Sequence, residues 1–367
     1  MDIKVPAVWT NTEFVVDGNT IWFVPYEYCF LYQYDFIQKR VCTKIFLEGA
    51  KSLWGSHYSV VKEGNYVVIV PGVNNNIYIF DKVSHAMQRI RLPEKKNVRE
   101  YFRKYALWNE AIFFFPLDYP NIVKISLHNF ALEEISIPKA DNKYSVSVNI
   151  TDLVQRGKFA DLCINGSDRV LRFNMESYEG KYFSITNAQE YRTICAYEGN
   201  QILLTDKDGN AFIYDENFEK FREVVLPKNS SSYIDCAQYR NGYILVPYKK
   251  SDPIFFWSEN ICNVVVPAYE EHPKGYRQPW GYNDFSQVKI AGNKVLLFDV
   301  PEQSLCVIDM NTLKREYQKV AMGEIDENEK RQVYSLLNKE NVVLTETDFW
   351  NLRRFIDVLK EDKNEEE

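Results

Sequence analysis

Glu63-Gly-Asn-Tyr-Val-Val-Ile-Val-Pro71 reads as a polar turn running into an apolar strand that stops at a proline. Val, Ile and Tyr suit a pleated, half-buried surface. Pro71 cannot donate to a ladder, so it marks the strand's end. The Gly64-Asn65 pair favours a tight hairpin, which places a partner strand upstream at Tyr58-Ser-Val-Val61. Downstream lie two more short runs, Ile77-Tyr-Ile-Phe-Asp81 and Arg89-Ile-Arg-Leu-Pro93. Asp81 fits a turn because its side chain can accept from the backbone two residues on. The stretch from Tyr58 to Pro93 is therefore expected to hold four short strands.

The same grammar recurs along the chain. The turn phrase returns at Asp17–Pro25, Trp108–Pro116, Arg156–Ile164, Glu198–Asp206, Arg240–Pro247 and Ala291–Asp299. The third positions of its seven copies are Asn19, Asn65, Glu110, Lys158, Asn200, Asn241 and Asn293, a mean step of about 46 residues. The copy at Arg156–Ile164 is the most degenerate, with Asp161 inside its apolar run. The second phrase follows each copy and ends in Asp, Ser or Asn at Asp35, Asp81, Ser126, Asn174, Asp215, Ser258 and Asp309. This repeat resembles the β-propeller superfamily over about residues 1–320, and the resemblance implies an all-β fold of seven four-stranded blades. There is no repeated Trp-Asp ending and no paired glycine of the kelch type, so it is not a typical WD-repeat or kelch protein. Two segments compete for the outer strand of the last blade, Ile3–Pro6 and Arg315–Val320.

Composition agrees with a packed β-rich chain. Of the 367 residues 46% are apolar and 15% aromatic, with only 15 glycines, which excludes a disordered or linker-like protein. No apolar run approaches a membrane span, and no basic n-region leads into an apolar stretch at the start, so a cytoplasmic location is expected. The net charge is −7, and most of it lies in 321–367, which leaves residues 1–320 nearly neutral. That balance argues against nucleic-acid and membrane partners. The seven cysteines are scattered and none form Cys-x-x-Cys, so they read as buried reduced thiols. The four histidines, His57, His85, His128 and His272, lack metal-ligand spacing. No metal and no cofactor is expected, and no catalytic residues are nominated.

Two sets of candidate residues remain. Six positions before each turn's third residue stand Glu13, Ser59, Lys104, Asp152, Ile194, Asp235 and Gln287, polar in six of seven copies. The next position is always apolar: Phe14, Val60, Tyr105, Leu153, Cys195, Cys236 or Val288. Strand faces alternate with period two, so the innermost strands should keep one polar row beside one packed row. His57 and Arg192, two residues earlier, should share the polar side. This row either lines a solvated channel and bonds blade to blade, or forms a central funnel for a polar small molecule, with Glu13, Lys104, Asp152, Arg192 and Asp235 as its site. The second set lies on the connections between blades: Trp54, His57, Tyr101, Arg277, Trp280 and Tyr282. Aromatic and Arg side chains dominate binding hot spots, although aromatics also pack loops. The expected function is a non-catalytic scaffold that binds a protein or peptide on this loop-rich face. The alternative is an enzyme or a binder of a sugar-like or other polar metabolite in the funnel. Beyond the propeller, residues 321–360 are expected to form a helical appendage, with one apolar face at Phe349, Leu352, Phe355, Ile356 and Leu359. Residues 361–367 should be a disordered acidic tail.

Overall fold

The computed structural model describes residues 13–320, apart from 26–28, 50–56, 97, 99, 139–148, 186–190, 198–199, 207, 220, 225–232, 259–260, 268–284 and 301–303. The proposed appendage and tail lie outside the described residues. The described strands form seven four-stranded antiparallel sheets, each in sequence order. Blade 1 is β1 (Phe14–Asp17), β2 (Thr20–Phe23), β3 (Phe30–Asp35) and β4 (Arg40–Phe46); blade 2 is β5 (His57–Glu63), β6 (Tyr66–Pro71), β7 (Asn76–Asp81) and β8 (Met87–Arg91). Blade 3 is β9 (Phe102–Trp108), β10 (Ala111–Pro116), β11 (Asn121–Ser126) and β12 (Leu132–Ser136); blade 4 is β13 (Ile150–Arg156), β14 (Phe159–Ile164), β15 (Arg169–Asn174) and β16 (Gly180–Ser184). Blade 5 is β17 (Tyr191–Ala196), β18 (Ile202–Asp206), β19 (Ala211–Tyr214) and β20 (Phe221–Val224); blade 6 is β21 (Tyr233–Tyr239), β22 (Gly242–Pro247), β23 (Ile254–Ser258) and β24 (Ile261–Val266). Blade 7 is β25 (Lys289–Ala291), β26 (Lys294–Asp299), β27 (Ser304–Asp309) and β28 (Lys314–Gln318). The seven-bladed all-β propeller expected from the repeat is the fold observed.

Turn chemistry explains why the repeat folds this way. Six blades close their first hairpin with two residues, as in Asp17 opposite Thr20 and Glu63 opposite Tyr66. Such turns need left-handed backbone, which Gly64 supplies at φ 55°. In blade 3 both turn residues are non-glycine, Asn109 at 51° and Glu110 at 54°. In the third hairpin the Asp, Ser or Asn that ends the second phrase accepts the amide two residues on. Asp35 holds Ile37, Asp81 holds Val83, Ser126 holds His128, Asn174 holds Glu176, Asp215 holds Asn217 and Asp309 holds Asn311.

The blades group into two compact units. In the unit of blades 7, 1 and 2, one apolar cluster joins Phe298 and Leu305 to Phe14, Phe23 and Tyr32, and a second joins Trp22 and Leu31 to Val60 and Ile69. Each cluster thus fills the seam between neighbouring blades. Burying one such side chain stabilises by about 1.5–3 kcal/mol. The outer strand of blade 7 is β28, so the C-terminal candidate takes that slot. Blade 7 meets blade 1 through side chains: Tyr34 Oη donates to Gln318 Oε1 at 3.2 Å, and Gln318 Nε2 donates to the Phe36 carbonyl at 2.9 Å.

The unit of blades 3 to 6 repeats the pattern, with clusters between blades 3 and 4, 4 and 5, and 5 and 6. The degenerate fourth copy forms a complete blade. Its Asp161, wholly buried in β14, receives Arg156 Nε at 3.0 Å and Arg172 Nε at 2.7 Å. Among the described residues no helix is long and apolar enough to cross a membrane.

Candidate functional site

In the four-blade unit the first strand of each blade neighbours the first strand of the next, so β9, β13, β17 and β21 define its inner side. Each of these strands carries a bulge at the same place. Phe102 and Lys104 pair with Pro116 and Phe115, leaving Arg103 unmatched. Thr151, Arg192 and Ile234 are left out in the same way in β13, β17 and β21, as is Tyr58 in β5 of the other unit. A bulge locally breaks the alternation of faces. The period-two rule therefore does not carry from the polar row back to His57 or Arg192. His57 begins β5 and Arg192 occupies the bulge of β17; their side chains lie outside the described residues.

Aligned on the bulge, the polar row of the described strands is Ser59, Lys104, Asp152, Thr193 and Asp235. Blade 5 thus contributes Thr193, where residue counting put Ile194. The cause is local: Ala196 pairs with Ile202, and Tyr197 N–H donates to Gln201 O, so this hairpin loop is one residue longer than the others. Thr193 is buried and shares a 2.6 Å hydrogen bond with Thr205 Oγ1.

The same offset changes the cysteines. Counting placed Cys195 and Cys236 at equivalent, reduced positions; the structure joins them in a disulfide, with Cα atoms 6.5 Å apart. Residues at equivalent positions in successive blades face the same way round and cannot meet. Ile194, the true counterpart of Cys236, packs in the seam between blades 4 and 5. Cys195 turns to the opposite face and joins Cys236 in the seam between blades 5 and 6. Of the other cysteines, none of them in a disulfide, Cys29, Cys163 and Cys306 are buried, while Cys42 and Cys262 are exposed.

Two of the row's charged members, Lys104 and Asp152, engage the following blade. Lys104 Nζ lies 3.2 Å from Asp152 Oδ1, with side chains only 12% and 11% exposed. Asp152 Oδ2 accepts the Ile194 amide of blade 5 at 3.0 Å. Blades 3, 4 and 5 are thereby linked in one chain of polar bonds. Asp235, half-buried, accepts its neighbouring Cys236 amide at 2.9 Å. In the other unit Glu13 is half-buried just before β1, and Gln287 accepts from Lys289 Nζ at 3.2 Å. Among the described residues no three His, Cys, Asp or Glu side chains cluster as metal ligands do.

Of the six loop candidates, Tyr101 is the one whose side chain is described, and it is buried at 6% exposure. Its ring stacks on Tyr119 at 5.4 Å, which makes it a packing element of blade 3. Tyr119 in turn donates to Glu134, which also receives Asn121 at 2.7 Å and Lys95 at 3.1 Å. Burial pushes the Glu134 carboxyl up, but the Tyr119, Lys95 and Asn121 donors outweigh it and hold the group below its usual range. Burial, then the Glu134 carboxylate, push the Tyr119 phenol well above its ordinary value. Trp54, Arg277, Trp280 and Tyr282 lie outside the described residues. The bulges themselves were missed by sequence reasoning, since they leave no mark in residue type: Tyr, Arg, Thr, Arg and Ile occupy them.

No family model and no curated protein matches the chain. Solved structures do. A catalytically inactive virginiamycin B lyase from Staphylococcus aureus, in a structure with quinupristin, is similar with a TM-score of 0.63 at 12% identity, over 82% of this chain and 95% of that one. A streptogramin B lyase gives 0.60 at 11% identity over 81% and 93%. The computationally designed protein Ika8 gives 0.56 at 11% identity over 87% and 92%. At such identities the likeness concerns the fold, and with the blade count and strand order above it makes this chain a seven-bladed β-propeller.

Proposed function

We propose that the protein is a non-catalytic recognition scaffold that binds a protein or peptide through the loops connecting its blades. One observation carries this reading. The connection between Val266 at the end of β24 and Lys289 at the start of β25 is far longer than the one between Ser184 and Tyr191, and it holds Tyr276, Arg277, Trp280 and Tyr282. Long connections in compact domains are usually either functional or linker segments, and these residue types, which bring large contact area at low entropy cost, favour the first. The charged inner residues Lys104 and Asp152, by contrast, are engaged with each other, so the loops are the better candidates for recognition.

The test is selection of a phage-displayed random peptide library on the full-length chain, followed by affinity measurement. Trp280→Ala and Arg277→Ala should each weaken the selected peptides by about 30-fold, roughly 2 kcal/mol, with an unchanged melting temperature. Equal binding by both variants would overturn the assignment, as would a Trp280→Ala variant that loses several kcal/mol of stability.

The second reading, an enzyme or polar small-molecule binder, draws on the charged residues Lys104, Asp152 and Asp235 along the inner strands, the first two nearly enclosed. The similar virginiamycin B lyase is an enzyme, yet one fold hosts many unrelated activities, so the likeness lends this reading little weight.

A further inference from the structure

The Cys195–Cys236 bond ties the first strand of blade 5, β17, to the first strand of blade 6, β21. Neither blade depends on it. Each strand is held in its own sheet by a full ladder, β17 to β18 and β21 to β22. The seam beside the bond is filled by Leu203, Tyr233, Leu245 and Trp257, with the Tyr197 and Tyr243 rings stacked at 5.2 Å. Apolar burial on this scale holds the two blades together with or without a covalent link. The cysteine usage points the same way. Five of the seven cysteines are not in a disulfide, and two of these, Cys42 and Cys262, are exposed. Proteins of oxidising surroundings tend to pair their cysteines; in a chain that leaves most of them unpaired, a single disulfide is usually one that responds to redox conditions.

We propose that the Cys195–Cys236 bond is a reversible redox switch, opened by small thiols and closed by small disulfides in the folded protein, which loosens or ties the inner strands of blades 5 and 6. The two sulfurs differ in access. Cys195 is partly exposed at the margin of the apolar cluster, whereas Cys236 lies within it at 8% exposure. An incoming thiolate therefore attacks Cys195 Sγ; the bond to Cys236 breaks, and its electron pair leaves on Cys236 Sγ, which takes up a proton. A second small thiolate then attacks the outer sulfur of the mixed disulfide. That step releases Cys195 as a thiol and leaves the two small thiols joined, so two electrons pass from them to the protein. Closure is the reverse, with a small disulfide as the oxidant. The switch sits beside the inner polar row: Thr193 is two residues from Cys195, and Asp235 accepts the Cys236 amide at 2.9 Å.

The experiment holds the full-length chain in native buffer across a series of reduced-to-oxidised glutathione ratios, quenches with acid and counts thiols by maleimide labelling after denaturation. The count should pass from five in the closed form to seven in the open form, with the same balance reached from either starting state. The open form should still melt cooperatively, a few degrees lower. Its β17 and β21 amides should exchange with deuterium faster, while those of β9 and β13 should not change. Cys195 in a Cys236→Ser variant should form a glutathione mixed disulfide about tenfold faster than Cys236 in a Cys195→Ser variant. A bond that opens only in denaturant, a count of seven at every ratio, an open form that unfolds, unchanged exchange in β17 and β21, or equal reactivity of the two single cysteines would each overturn the proposal.

Discussion

Between the last blade and the first, the Phe298 ring meets Phe14 at 5.2 Å and Phe23 at 5.3 Å, edge to face, within a cluster of aliphatic and aromatic side chains. Between the fourth and fifth blades the seam also holds an apolar cluster, but ions flank it. Asp161 holds Arg156 and Arg172, which pass on to the Asn200 and Glu216 carbonyls of blade 5. The Arg172 guanidinium also lies 5.0 Å from the Phe183 ring centre and 5.4 Å from Phe218. The aromatic seam draws its stability from area and shape, which many side chains of similar volume can satisfy. The ionic seam depends on direction, because a buried charge deprived of its partner is costly in a way that a missing methylene is not. A degenerate repeat can therefore still make a good blade when a polar device replaces part of the apolar pattern.

The sharpest way to break this comparison is a matched set of substitutions. Phe298→Ala should cost about 3–5 kcal/mol by leaving a cavity. Asp161→Ala should cost about as much, about 3–5 kcal/mol, by leaving two largely buried guanidinium groups uncompensated. A change to Leu separates the two. Phe298→Leu should recover most of the loss, whereas Asp161→Leu should recover little, because volume is not what that site lacks. Urea unfolding of the four variants measures this, and the distinction fails if Asp161→Leu is as stable as the parent.

A smaller effect tests whether the inner row works as a seam of the same directional kind. Asp152→Asn keeps the shape but removes the charge opposite Lys104, at a cost of about 1–3 kcal/mol. If stability is unchanged, the Lys104–Asp152 pair is not a structural tie, and the ligand-binding reading of the inner row gains.

The smallest effect belongs to the edge of the aromatic seam, where Tyr34 bonds Gln318. Burial first, then the Glu316 and Asp35 carboxylates, push its phenol up to about 12 from an ordinary 10. The raised value means that folding favours the protonated phenol. That stabilisation is complete below pH 10 and is lost as the pH rises toward 12. Tyr34→Phe should therefore show a shallower loss of stability between pH 10 and 12 than the parent, measured by thermal melts across that range. Equal slopes would place the alkaline sensitivity elsewhere, with Tyr78, also raised to about 12, the next group to test.

Much of this architecture is written locally. Gly64-Asn65 and Asp81 each specify a turn through their own backbone chemistry, and a repeat of such turns sets blade number and strand order without reference to anything distant. The apolar row of the inner strands was legible for the same reason: Phe14, Val60 and Cys236 lie in clusters that each fill the seam of their blade with one neighbour. The candidate site was legible in part. Lys104, Asp152 and Asp235 hold the row positions that counting assigned, and Thr193 replaces Ile194 because one extra loop residue shifts the count without changing the composition.

The sequence by itself, then, determined the blades, their number, their turns and the alternation of polar and packed rows, because these depend on interactions only a few residues apart. Tertiary structure decided the rest: the bulges, the partner of Asp152, the burial of Tyr101 and the pairing of Cys195 with Cys236 across 41 positions. Each of these depends on which face of one blade meets which face of the next, and a single-residue shift in register is enough to reverse it.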